Sequence, residues 1–313
     1  MIAPVPALDD LPVRYVRRAC AASPGFVLVK AGLRIRADGQ PRPLLGFGCA
    51  TDPATATARA RAELYERLIP ASALARDAEV EVPGLRLDGH EGGHRIAELI
   101  APPGTGSDAT GFAFHPDLGR ARSHAARELT ERHLLAELWY GGLGLVPLDP
   151  PPGPDAFTGP GPRARHYTVA ARTPEPFVLV VVHDPAREVL VVGSAVRDTR
   201  EAAAAHAVEE AVMMYDTVLH DSVSAYVGAG STDRLRSLRG PLAARRAAHL
   251  ESRVRTPDEG DPAPLRVELP ADTWLSTICH HRDGHLVRAW SPDLTLPRGH
   301  RPAGPGQVPD PFC

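Results

Sequence analysis

Apolar residues in this chain fall into two patterns. Where they run together and are β-branched they read as strands. Phe177 to His183 (FVLVVVH) and Glu188 to Val192 (EVLVV) flank Asp184-Pro185 and predict a hairpin of strands covered on both faces. Phe26 to Lys30 and Pro43 to Phe47 predict a second hairpin, turned at Ala37-Asp38-Gly39. Shorter strands are expected at Val80 to Val82, Val267 to Leu269, Trp274 to Ile278 and Leu286 to Trp290, and Ala109 to Phe114 reads as a strand or its exit loop. Elsewhere the apolar residues are mostly alanine and leucine at helical spacing. One helix is capped by Asp52, has Pro53 where a missing N–H costs nothing, and should end at Pro70. A second follows Asp117 and runs to Trp139 or Tyr140, stopped by Gly141-Gly142. A third opens at Asp198, with Glu201 as capping-box partner. A basic helical stretch is expected within Arg234 to Arg255, and 149–164 reads as loop.

The helices repeat. Gly46 to Arg67 (GFGCATDPATATARARAELYER) and Gly111 to Arg132 (GFAFHPDLGRARSHAARELTER) align without a gap and share the ending E-L-x-E-R. A fainter copy starts at Gly193 (GSAVRDTREAAAAHAVEEAV). The period is too long for a solenoid, so the expected fold is α+β (mixed α/β), with hairpin–loop–helix units repeated inside one domain and packed on β-sheet. That domain should occupy residues 1–313, with an N-terminal segment at 1–24 and a Pro-rich tail at 291–313.

Charge and cysteine content narrow the class. A net charge of -3 offers no case for nucleic acid as a main partner, although Arg14, Arg17 and Arg18 make a local basic patch. Lys30 is the only lysine, so arginine must do most of any anion binding. Cys20, Cys49, Cys279 and Cys313 form no disulfide framework, and neither a signal peptide nor a membrane span is readable. A cytoplasmic protein with no membrane role is expected.

Each E-x-x-E-R sets two carboxylates and a guanidinium on one helix face: Glu63, Glu66 and Arg67, then Glu128, Glu131 and Arg132. Taken singly, each is an ordinary solvated i,i+4 pair worth a few tenths of a kcal/mol. Taken together, four carboxylates on related helices suggest Mg²⁺, and the arginines suggest phosphate; the chemistry indicated is a Mg²⁺–nucleotide site. Cys279-His280-His281 with His285 is a weak zinc pattern, better read as structural or solvated histidines. Cys49 falls before the first helix, where a helix N-terminus lowers a thiol pKa, but a small buried thiol is the simpler reading.

The segment A-T-G-F-A-F…S-H-A-A-R-E-L-T-E-R-H…W resembles the central motif of the YcaO family, S-N-G-x-A-x-G followed by H-A-L-x-E-x-x-E-R-D and a tryptophan. The first copy resembles the family's upstream G-K-G…S-A-L-x-E-x-x-E-R segment. His206 to Ala211 resembles its later R-A-L-x-E-x-x-Q helix, and VPDPFC its Pro-rich C-terminus. The resemblance implies an ATP- and Mg²⁺-dependent enzyme that phosphorylates a peptide amide oxygen, giving azolines, thioamides or amidines in ribosomal peptide natural products. Carried over, Glu63, Glu66, Glu128 and Glu131 are metal and nucleotide positions, Arg67 and Arg132 organise the site, and Glu210 is the glutamate of the third helix. Departures stand beside these matches. Phe47 replaces the Gly-Lys-Gly lysine, Arg59 a serine, Ala109-Thr110 the Ser-Asn pair, and His115 the final glycine. Met213 replaces the glutamine, Tyr215 an arginine and Cys313 the last proline, with Lys30 or Arg59 available as a substitute cation. Two readings follow: an active cyclodehydratase-like enzyme, or a degenerate YcaO-fold scaffold for a peptide or an active partner. The expected partners are a precursor peptide and a separate leader-peptide-binding protein, since no winged-helix domain is readable; a homodimer is left open.

Overall fold

The computed structural model describes residues 5–21, 23–37, 40–100, 110–150, 156–157, 161–220, 238–255, 265–294, 296 and 308. The expected turn at Asp38-Gly39, Ala109 and Cys313 lie outside them. In chain order the elements are β1 (Arg14–Cys20), β2 (Ser23–Ala37), β3 (Gln40–Ala50), α1 (Pro53–Asp77), β4 (Glu81–Arg86), β5 (Glu91–Arg95), α2 (Ile96–Ile100), β6 (Phe112–His115) and α3 (Leu118–Ala136). There follow β7 (Leu145–Leu148), β8 (Arg163–Val169), β9 (Ala171–Arg172), β10 (Phe177–Asp184), β11 (Val189–Val196), α4 (Arg200–His220), α5 (Pro241–Glu251), β12 (Leu265–Arg266), β13 (Trp274–His281) and β14 (Gly284–Trp290). This is the mixed α+β architecture expected. Among the described residues no helix is long and apolar enough to cross a membrane.

The chain forms two compact units, and the boundary falls inside α3, between Leu129 and Thr130. The first comprises Met1–Arg18, Val27–Leu129 and Leu269–Leu294. It holds the β2–β3 hairpin, paired antiparallel from Val27↔Ala50 to Ala37↔Gln40, and a sheet ordered β5-β4-β13-β14-β6. α1 lies on β3. Ala56, Ala60 and Leu64 recur every fourth residue and meet Val29, Ala31 and Leu33 of β2 in one buried cluster. The helix can approach only because β3 carries glycine there: a Cβ on Gly46 would lie 2.1 Å from the Ala60 carbonyl, and one on Gly48 2.0 Å from that of Ala56. Asp52 caps α1 as expected, accepting from the Thr55 N–H at 2.7 Å.

The second unit comprises Ala19–Phe26, Thr130–Glu268 and Thr295–Cys313. Its sheet is ordered β11-β10-β8-β7, and β10 and β11 form the expected hairpin over Phe177↔Val196 to Asp184↔Val189. One face carries Phe177, Leu179, Val181 and Leu190 into a core with Ala243, Ala247 and Leu250 of α5. α4 packs against β10 and β11, and Gly193 permits the contact, since a Cβ there would lie 2.1 Å from the Ala207 carbonyl.

Several expectations are corrected. Pro70 does not end α1, which continues to Asp77 with the proline buried inside it. The intrahelical bond lost at Pro70 is outweighed by seating Ile69, Pro70 and Ala73 in the interior. The cap of α4 is Thr199, not Asp198: its Oγ1 accepts from the Ala202 N–H at 3.1 Å, one residue nearer the first turn. Cys49 lies within β3 rather than in a loop and is buried. The strand expected at Val267 to Leu269 is the two-residue β12 before it. The basic stretch is helical over Pro241–Glu251.

Candidate functional site

The glutamates singled out by the sequence sit at sheet edges. β3, β6 and β11 are each the outermost strand of their sheet among the described residues, so each has backbone N–H groups turned away from any neighbouring strand. A helix glutamate meets one such group in each case. Phe47 N–H in β3 donates to Glu63 Oε2 at 2.6 Å, and Phe114 N–H in β6 donates to Glu66 Oε1 at 2.9 Å. In the second unit, Ser194 N–H in β11 donates to Glu210 Oε2 at 2.7 Å. Gly46 and Gly193, which let the helices approach, each precede the donating residue.

In the first unit the other oxygen of Glu63 pairs with Arg67, on the next turn of α1. Both side chains reach solvent, so this ion pair contributes little by itself. Glu66 is half-buried, and desolvation pushes its carboxyl up to about 7, against the opposing pull of the Phe114 N–H; Glu63 adds to the rise and Arg67 opposes it. Glu128 lies half-buried on α3. Lys30 stands directly across the β2–β3 ladder from Phe47, with its Nζ 5.6 Å from the ring centre. The only lysine therefore occupies the neighbourhood of the position where the sequence lacks one. Arg59 is turned to the Cys49 carbonyl, which it meets at 2.6 Å.

In the second unit two carboxylates meet at one residue. Ser194 gives its N–H to Glu210, and its Oγ–H to Glu131 Oε1 at 2.7 Å. Glu131 is 6% exposed and Ser194 3%. Burial raises the Glu131 carboxyl pKa; Arg132 opposes the rise, Glu210 adds to it, and the Ser194 bond and Arg197 again oppose it. Ser194 was invisible in the sequence, because its part depends on β11 being an edge strand beside α3. Tyr215, at a position where the resemblance leads one to expect arginine, is committed to the buried Asp184 at 2.5 Å. Trp139 donates its indole N–H to the Val308 carbonyl at 2.9 Å; the rest of the expected VPDPFC tail lies outside the described residues.

Among the described residues no three His, Cys, Asp or Glu side chains converge as a metal cage. His280, which is exposed, and His285 face each other at 2.8 Å, and His281 meets the Val5 carbonyl at 2.9 Å. Mg²⁺ does not need a cage: it commonly takes one or two carboxylates and completes its shell with phosphate oxygens and water. The Glu131–Glu210 pair, two hard donors held by one serine and flanked by the charges of Arg132 and Arg197, fits that demand.

The model of the YcaO cyclodehydratase family, described as ATP- and Mg²⁺-binding, matches residues 100–283. Among the curated proteins no relative matches the sequence. Among solved structures, YcaO from Methanopyrus kandleri, bound with AMPPCP and Mg²⁺, is similar with a TM-score of 0.61 and 12% identity, over 96% of this chain and 92% of that one. The E. coli microcin synthetase McbBCD complex with pro-MccB17 bound gives a TM-score of 0.62 and 12% identity, over 94% and 91%. A heterocyclase in complex with substrate and cofactor gives 0.61 and 15%, over 91% of this chain and 50% of that one. At these identities the likeness is one of fold.

Proposed function

This chain belongs to the YcaO family, and from that premise we propose that it activates a backbone amide of a peptide, using ATP and Mg²⁺, in the making of a ribosomal peptide natural product. The observation that carries the proposal is the meeting of Glu131 and Glu210 at Ser194 in a buried setting. Glu131 and Glu210 would hold Mg²⁺ in the second unit; Glu63, Glu66 and Glu128, in the first, are proposed as metal and nucleotide positions from the family motif alone. Arg67 and Arg132 would face phosphate oxygens, with Lys30 in place of the missing lysine. ATP, when bound, supplies the phosphoryl group that turns an amide oxygen into a leaving group. The protein's own part is electrostatic: fixed carboxylates and guanidiniums hold charge in place in a partly dry site, where such interactions gain strength. A side chain of the peptide, sulfide or an amine would then attack the amide carbon, giving an azoline, thioamide or amidine. The peptide and a separate protein that delivers it are the proposed partners, and the cytoplasm the proposed location.

A second reading is favoured by Phe47, Met213 and Tyr215. Tyr215 in particular is bound to Asp184 and cannot serve as an arginine would. On that reading the chain is a scaffold that binds a peptide or an active partner. Calorimetric titration of ATP with Mg²⁺ separates the two. The enzyme reading expects micromolar binding that weakens in Glu128→Gln and Glu131→Gln, with peptide-dependent ADP release lost in both. A folded protein that binds no nucleotide leaves the scaffold reading.

A further inference from the structure

β1 is the other outermost strand of the β1–β2–β3 sheet, and among the described residues no strand lies against its far side. Its residues from Arg14 to Arg17 are exposed, whichever face they point to. Val16, 56% exposed, is the most exposed large hydrophobic side chain among the described residues, and Tyr15 is 43% exposed. Side chains alternate along a strand, so Arg14, Val16 and Arg18 share one face and Tyr15 and Arg17 the other. The strand is anchored from α1, where Arg61 donates to the Tyr15 hydroxyl at 3.1 Å and pairs with Asp9 at 2.6 Å.

Exposed edges are commonly blunted by proline, bulges or charge. Residues 14–18 (RYVRR) have no proline, and their charges are all of one sign. Two copies of this strand laid side by side would oppose arginine with arginine, which is destabilising. The edge is thus guarded against its own kind and open to a strand that carries carboxylates. We propose that Arg14 to Arg18 docks an extended acidic segment of a peptide by strand addition. Main-chain bonds would give the contact its affinity, and carboxylates opposite Arg14 and Arg17, with an apolar residue opposite Val16, its selectivity. That the segment belongs to the peptide being modified rests on the function proposed above; strand addition itself does not.

The test uses the full chain and a fluorescein-labelled peptide containing Glu-Glu-Val-Thr-Glu, followed by anisotropy. Binding should weaken about tenfold in the Arg14→Glu/Arg17→Glu double variant. It should disappear when proline replaces the peptide's valine, because proline cannot donate to a ladder. Absence of binding overturns the proposal, as does equal binding of the proline peptide or equal competition by oligothymidylate, which would mean charge attraction alone. A dimer seen by light scattering and lost in the double variant would give the edge to a second copy, and overturns it too. Titrating Mg²⁺ and ATP into the unaltered chain keeps the two ideas apart: docking without nucleotide binding leaves this proposal standing and removes the catalytic one.

Discussion

Replacing Ser194 by alanine removes one hydroxyl and leaves a nearly buried carboxylate without that donor. The backbone N–H to Glu210 survives the change, so the perturbation falls on Glu131. A hydrogen bond to an ionised group contributes about 1.5–3 kcal/mol, and a neutral one about 1 kcal/mol. Since burial raises the Glu131 pKa, the carboxyl is protonated over part of the accessible pH range. The sign follows. Well above that raised pKa the variant loses a charge-assisted bond, and the cost should be about 2 kcal/mol. Below it Glu131 is neutral in both proteins, and the cost should fall to about 1 kcal/mol or less. Urea unfolding at about pH 8 and about pH 5.5 reads the difference. Trp139 fluorescence is the probe, since it is the one tryptophan in that unit. Ser194→Ala in a Glu131→Gln background should cost about 1 kcal/mol or less, and the same at both pH values. A loss equal at both pH values, or larger in acid, would refute the reasoning.

Three other outcomes are expected. Glu66, pushed up to about 7, binds a proton more tightly folded than unfolded, so the protein without ligand should lose stability as pH rises from the ordinary glutamate value toward neutrality. Its share of the loss should be on the order of 3 kcal/mol, and Glu66→Gln should remove that share in the same unfolding series, leaving the part that Glu131 contributes. Gly193→Ala should lower the melting temperature by several degrees in calorimetry, because its Cβ would meet the Ala207 carbonyl at 2.1 Å and displace the helix that carries Glu210. Lys30→Met should weaken nucleotide binding about tenfold by calorimetry, and unchanged affinity would remove Lys30 from the site.

What could be read from the residues alone depended on how local the cause was. The β10–β11 hairpin needs only its own apolar runs and the Asp184-Pro185 break, and it appeared as expected. The shared face of Glu63, Glu66 and Arg67 follows from helical spacing, and the cap at Asp52 from its own first turn. Pro70 failed as a stop because burial around it outweighs its local preference. Cys49 was misplaced because Gly46 and Gly48 look like loop glycines and instead make room for a helix. Ser194 could not be found at all, since nothing near it in sequence mentions Glu131.

The glutamates at the strand edges carry a lesson about inheritance. Glu63, Glu66 and Glu210 each close a backbone donor that would otherwise be bare at the margin of a sheet. Suppose an ancestor of this chain had given up phosphoryl chemistry. Its descendants would still be held to these acids, because losing one would leave a donor open to water or to a foreign strand. Persistence of E-x-x-E-R is therefore weak testimony for surviving catalysis. Testimony about the activity is better sought where the sequence departs from the family pattern, as at Phe47 and Met213.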